Sequence, residues 1–99
     1  MQKRNYRPYR NIARLLEIYR FIEQYEKDMN CAPSYTDIVS QGLAPSTSVV
    51  RFFFNHMDKM GMITYQVGIA RSVRLLPLPQ DNPLLTEAIK NETQKEPRS

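Results

Sequence analysis

Ser46, Ser48, Arg51 and Asn55 fall within the stretch APSTSVVRFFFNHMDKMG, residues 44–61, and from Ser48 onward they recur three and four residues apart. On a helix that spacing puts a hydroxyl, a guanidinium and a carboxamide on one face. These groups make hydrogen bonds and include no base-activated nucleophile, so their chemistry is recognition of a surface rather than bond breaking. Arg51, with its planar fork of donors, suits two acceptors in one plane, such as O6 and N7 of guanine. Ser48 and Asn55 are shorter-range partners. Val49 and Phe52 lie outside the main apolar stripe of the same stretch. Each either meets a thymine methyl or widens the contact with a core. For Phe52 packing is the stronger expectation, because exposing an aromatic without a partner is unfavourable.

A second set of residues suits phosphate. Lys3, Arg4, Arg7, Arg10 and Arg14 crowd residues 1–14 with no acid among them, whereas bases and acids nearly balance in the rest of the chain. The formal charge of +4 therefore sits at the amino end. That placement suits a polyanion, and a merely soluble terminus is the plainer reading of the same arm. Arg71 and Arg74 are expected to hold an adjacent phosphate or enter a minor groove, the alternative for Arg74 being a solvated strand residue. Ser34, Tyr35 and Thr36 begin a short predicted helix whose free amides can face a phosphate.

Other chemistries find little support. The chain has 99 residues, 41% of them hydrophobic, with six Tyr, four Phe and no Trp, which is enough for one domain with one core. One His and one Cys leave no metal-ligand cluster and no internal disulfide, and fit a reducing compartment. His56 is expected at a helix surface or a satisfied near-core position, and Cys31 as a passive buried or half-buried thiol. The three glycines make no nucleotide-binding loop. Asp37 and Asp58 have ordinary roles in capping and helix solvation. The expectation is therefore a non-enzyme with no catalytic residue, cofactor or metal. No membrane span or secretory leader is recognised, so the expected setting is cytoplasmic.

The elements that must position these residues follow from periodicity. Residues 1–11 read as a flexible basic arm, with Pro8 discouraging a helix before it. From Ile12 to about Met29, Ile12, Leu15, Leu16, Tyr19 and Ile22 repeat at helical spacing, widened by Ile18 and Phe21, with Asn11 as N-cap. In CAPSYTDIVSQG, Ser34 and Asp37 have the spacing of a capping box, and Gly42 lets the chain leave the helix. GLAPS then turns into the central helix, where Ser46 or Thr47 caps and Val50, Phe53, Phe54, Met57 and Met60 form the apolar stripe. Two helices joined by so short a turn have the form of a helix-turn-helix. After Gly61 the period changes to two, predicting a hairpin from MITYQV and SVRLLP around the loop GIAR. Pro77, Pro79 and Pro83 close the domain at about residue 77. Residues 78–99 read as a tail with a short helix near Leu84 to Asn91.

Laid out in this order, the segment from Ile12 to Leu76 resembles the amino-terminal winged helix-turn-helix DNA-binding domain of the LexA repressor family. The resemblance is carried by LLEIYRFIEQYEKDMNCAPSYTDIV, by Ser46, Ser48, Val50, Phe54, Met57, Gly61 and Ile63, and by ARSVRLLP with Arg71, Arg74, Leu75 and Leu76. It implies a mainly α fold of three helices plus a small β-hairpin wing. It also places the family's base-reading positions on Ser46, Ser48, Val49, Arg51 and Phe52. The usual leucine-glycine pair after the second helix stands here as Gly42-Leu43, and those base-reading residues differ from the family's familiar Asn and Glu, so a different site is implied. The family's self-cleaving domain is not recognised, and cleavage-controlled derepression is not expected.

The reading that joins these pieces is a sequence-specific double-stranded DNA-binding protein, a transcriptional regulator of prokaryotic or phage type, with residues 46–60 in the major groove. A symmetric homodimer is the expected binding form. Two alternatives remain: a winged-helix module for protein contact, built on the apolar excess of FFFNHM, and an accessory protein of replication or of a mobile element.

Overall fold

A computed structural model describes the backbone of residues 8–94 and the side chains of residues 12–92. Four helices and a two-stranded antiparallel hairpin follow one another as α1 (Pro8–Met29), α2 (Tyr35–Ser40), α3 (Thr47–Lys59), β1 (Ile63–Thr64), β2 (Arg74–Leu75) and α4 (Pro83–Gln94). The fold is mainly α with a small hairpin, as the periodicity predicts, and the short helix expected near Leu84 to Asn91 runs from Pro83 to Gln94.

Helix α1 starts earlier than expected. Pro8 lies in its first turn, where a missing N–H costs nothing and the fixed φ suits a helix, and Asn11 lies inside the helix rather than capping it. The predicted arm of residues 1–11 therefore overlaps the helix. At the other end Asn30 takes φ 62°, the left-handed position that an amide side chain tolerates, and its N–H bonds the carbonyl of Glu26 at 2.9 Å.

The short helices are fixed by their ends. Ser34 Oγ accepts from the N–H of Asp37 at 3.1 Å, while the N–H of Ser34 donates to Asp37 Oδ2 at 2.8 Å, so the predicted capping box is formed. After α2, Gly42 at φ 82° lets its N–H reach Val39 O and the N–H of Leu43 reach Ile38 O. The same pattern recurs after α3, where Gly61 at φ 82° places its N–H on Asp58 O and that of Met62 on Met57 O. Both are Schellman endings, which satisfy carbonyls that would otherwise be stranded. The Gly42-Leu43 order thus serves the turn as it stands.

One core joins all the elements. Ile12, Leu15, Leu16, Ile18, Tyr19 and Ile22 of α1 are buried with Ile38, Val50, Phe54, Met57, Met62, Ile63, Val73 and Leu85. The width of the α1 stripe has a cause: α4 packs along α1 more extensively than any other two elements pack together. Leu85 is fully buried, and Arg20 of α1 grips the Glu92 carboxylate through Nε and Nη2 at 3.0–3.3 Å. The segment read as a tail is therefore part of the packed unit, which does not end at residue 77. Prolines between Leu76 and Leu84 break the strand without ending the fold.

The hairpin is shorter than predicted, pairing Ile63 with Leu75 and Thr64 with Arg74. Tyr19 anchors its exit by donating from its buried hydroxyl to Leu76 O at 2.6 Å.

Candidate nucleic-acid interface

Helix α3 presents its outer face because its inner face is fixed. Val50, Phe54 and Met57 are buried and Phe53 is half-buried, so Ser48, Arg51, Phe52 and Asn55 stand on the opposite side. Ser46 begins the helix as expected, its Oγ accepting from the N–H of Val49 at 3.3 Å. That bond occupies one acceptor site of the Ser46 hydroxyl and leaves its O–H able to donate. Val49 is half-buried and packs against the core while part of its side chain stays open to solvent.

Phe52 corrects the expectation of packing. It is 45% exposed, with its ring set edge-on to His56 at 4.8 Å and tilted against Phe53 at 5.9 Å. Its neighbours hold the ring in place and leave one side open. Ser48, Arg51, Phe52 and Asn55 line a shallow cleft of about 340 Å³ whose far wall is Tyr65 and Val67 of the hairpin. Beneath it Tyr35, Phe54 and Tyr65 stack edge to face, with centroids 5.4 Å apart at both steps. This aromatic row fixes the spacing between α3 and the hairpin.

Tyr35 belongs to that row rather than to a phosphate contact. Its hydroxyl is enclosed and has no hydrogen-bond partner among the described residues. Burial pushes its pKa up, with Tyr65 adding to the shift and the Arg51 guanidinium opposing it. Ser34 is committed to the capping box, and Thr36 is exposed.

Arg71 also differs from the expectation of a free cation at the hairpin tip. It adopts φ 57°, and its Nη1 donates to Ala32 O at 2.9 Å and to the Tyr25 hydroxyl at 3.2 Å, 3.3 Å from Asp37 Oδ2. Its guanidinium is turned back onto the loop between α1 and α2. Hydrogen bonding to Ser34, first from its backbone N–H, holds the Asp37 carboxyl below the usual carboxylate range, with Tyr25 and Arg71 adding to the effect.

Arg74 stays exposed on β2. Together with Arg71 it borders a second cleft of about 560 Å³, lined also by Glu26, Cys31 and Leu75. Cys31 is exposed there, not buried as expected. The two cationic hairpin residues therefore do not share the cleft of Ser48, Arg51 and Asn55; the hairpin stands between the two. Lys3, Arg4 and Arg7 lie outside the described residues, and Arg10 is described only by its place in the first turn of α1.

The hairpin tip was missed by sequence reasoning. Val67 and Ile69 are 67% and 54% exposed, and the loop that carries them is closed at its base by Ser72. The Ser72 Oγ accepts from the N–H of Gln66 at 2.9 Å and donates to its carbonyl at 3.1 Å. The alternation of Ile63, Tyr65 and Val67 runs on into the tip, so periodicity carried no signal that the paired strand stops at Thr64.

Among the described residues no group of three His, Cys, Asp or Glu side chains could hold a metal ion, and no helix is long and apolar enough to cross a membrane. No protein-family model matches the chain, and no curated protein matches it in sequence.

Proposed function

We propose that this chain binds double-stranded DNA as a winged helix-turn-helix of LexA-like type, α3 entering the major groove and the hairpin acting as the wing. The observation that carries this reading is the outward row of Ser48, Arg51, Phe52 and Asn55, held on a rigidly seated helix beside the hairpin. A helix face of about this size fits a major groove, and a fork, a hydroxyl and an amide are the groups that read base edges there. The charge pattern supports it. From Ile38 to Gln80 Asp58 is the lone acid, against Arg51, Lys59, Arg71 and Arg74. Arg74 is a phosphate contact in this reading, while Arg71 positions the wing. The proposed role is transcriptional regulation from the cytoplasm of a prokaryotic or phage system, with a homodimer as the binding form.

A fluorescence titration of random-sequence duplex at about 50 and 200 mM salt tests the proposal. Wild-type protein binds at the lower salt and weakens steeply at the higher; Arg51→Ala and Arg74→Ala each bind more weakly. No binding at low salt, or binding indifferent to both changes, refutes it.

The exposed Phe52, Val67 and Ile69 favour one competing reading, a docking surface for another protein. In that case duplex binding is absent.

A further inference from the structure

We infer that the hairpin tip is an apolar wedge for the minor groove, with Val67 and Ile69 pressing between base pairs and kinking the duplex; this rests on the DNA-binding reading above. The sequence places a cation at this point, and the structure places aliphatic side chains there. Arg71 is withdrawn to Asp37, Ala32 and Tyr25, leaving Val67, Gly68, Ile69 and Ala70 as the projecting residues.

Three features suit a wedge. The first is chemistry: proteins that kink DNA from the minor groove insert aliphatic or aromatic side chains into a base step, and Val67 and Ile69 are 67% and 54% exposed. The second is stiffness, since a soft loop would fold aside instead of opening a stack. Ser72 bonds both the N–H and the carbonyl of Gln66 and closes the loop. The N–H of Ile69 turns back to Gln66 O at 3.1 Å, Gly68 takes φ 81°, and both wedge side chains are β-branched and stiff at χ1. The Arg71 tie then fixes this loop to the body of the protein.

The third feature is charge. Arg51 lies in the cleft on one side of the hairpin and Arg74 borders the cleft on the other, and the hairpin from Met62 to Leu76 contains no acid. An apolar tip bracketed by cations fits a groove edged by phosphates on two strands. A protein partner would be met by the same aliphatic pair without any need for cations on both flanks.

Such a wedge favours steps that unstack easily. Pyrimidine-purine steps, TA above all, are the expected sites, and stiff A-tracts are disfavoured.

The test uses the full chain and short duplexes carrying a donor and an acceptor dye at their ends, one set centred on a TA step and one on an A-tract. Wild type is expected to raise energy transfer on binding and to prefer the TA set by about tenfold. The double variant Val67→Ser with Ile69→Ser is expected to keep its circular dichroism spectrum and bind within about tenfold of wild type, because its phosphate contacts remain, while losing both the bend and the TA preference. If the double variant unfolds, Ile69→Ala takes its place with the same expectation in reduced degree. Tight binding by wild type without a rise in energy transfer overturns the wedge and leaves the DNA reading intact. Absence of duplex binding removes both. A concentration-dependent dimer in sedimentation that disappears in the variant, with bending unchanged, assigns the tip to self-association and overturns the wedge.

Discussion

Arg71 Nη1 lies 3.3 Å from Asp37 Oδ2, so a residue at the foot of the hairpin loop is tied to the first turn of α2. Both partners keep access to solvent, with side chains 45% and 30% exposed. Solvent screens an ion pair so open to water, and it adds little to stability. Its consequence is geometric, because the same guanidinium also holds Ala32 O and the Tyr25 hydroxyl. Arg71→Ala is expected to leave thermal unfolding nearly unchanged while speeding amide hydrogen exchange at residues 66–72. In salt titrations of duplex binding it keeps the wild-type slope, whereas Arg74→Ala lowers the slope by about one phosphate's worth. A lower slope for Arg71→Ala as well makes Arg71 a phosphate contact and sinks its positioning role.

The capping box gives a pH dependence with a definite sign. The backbone N–H of Ser34, its largest cause, depresses the folded-state pKa of Asp37. A depressed carboxyl contributes stability that is fully present above its unfolded value of about 4 and is lost as pH falls through the folded value. Urea midpoints measured from about pH 6 to pH 2 are therefore expected to fall less steeply for Asp37→Asn than for wild type below about pH 4. Parallel acid limbs in the two proteins contradict this assignment.

The order of helices, the two glycine endings and the caps at Ser34 and Ser46 were legible because each is local. A capping box spans four residues and a Schellman ending six, so the sequence carries the whole signal. The outward face of α3 was legible for the same reason. What escaped detection was non-local. Nothing near Arg71 announces Asp37, and nothing near Leu85 shows that α1 has room for a second partner, although Ile18 and Phe21 broadening its stripe are the trace of it. Phe52 was misplaced because a general aversion to exposed aromatics was applied to a helix whose inner face Val50, Phe54 and Met57 already fill.

Helix α4 is expected to be required for stability. Leu85 is fully buried at its first turn, so Leu85→Ala should cost about 2–5 kcal/mol, the range for deleting a buried leucine side chain. Arg20→Ala, which breaks the partly exposed bond to Glu92, should cost about 1 kcal/mol or less. Chemical denaturation of the two variants separates these values. Near-equal losses indicate that α4 is held by its ion pair rather than by apolar packing.

Arg51 and Phe52 adjoin on the exposed face of α3, and their changes should have different signatures. Arg51→Ala removes the planar fork, and in duplexes selected from a random pool it should relax one guanine position by about 1–3 kcal/mol. Phe52→Ala removes an apolar contact instead, and should weaken a thymine preference while leaving the guanine position intact. Ser46→Ala should leave the guanine and thymine preferences in place, since neither rests on its hydroxyl, but should cost about 1 kcal/mol of stability as a lost helix cap. Selected sequences from wild type and the three variants decide the matter together. Identical base preferences in all four proteins mean that α3 does not lie along base edges, and loss of preference in Ser46→Ala alone moves the reading point to the amino end of the helix.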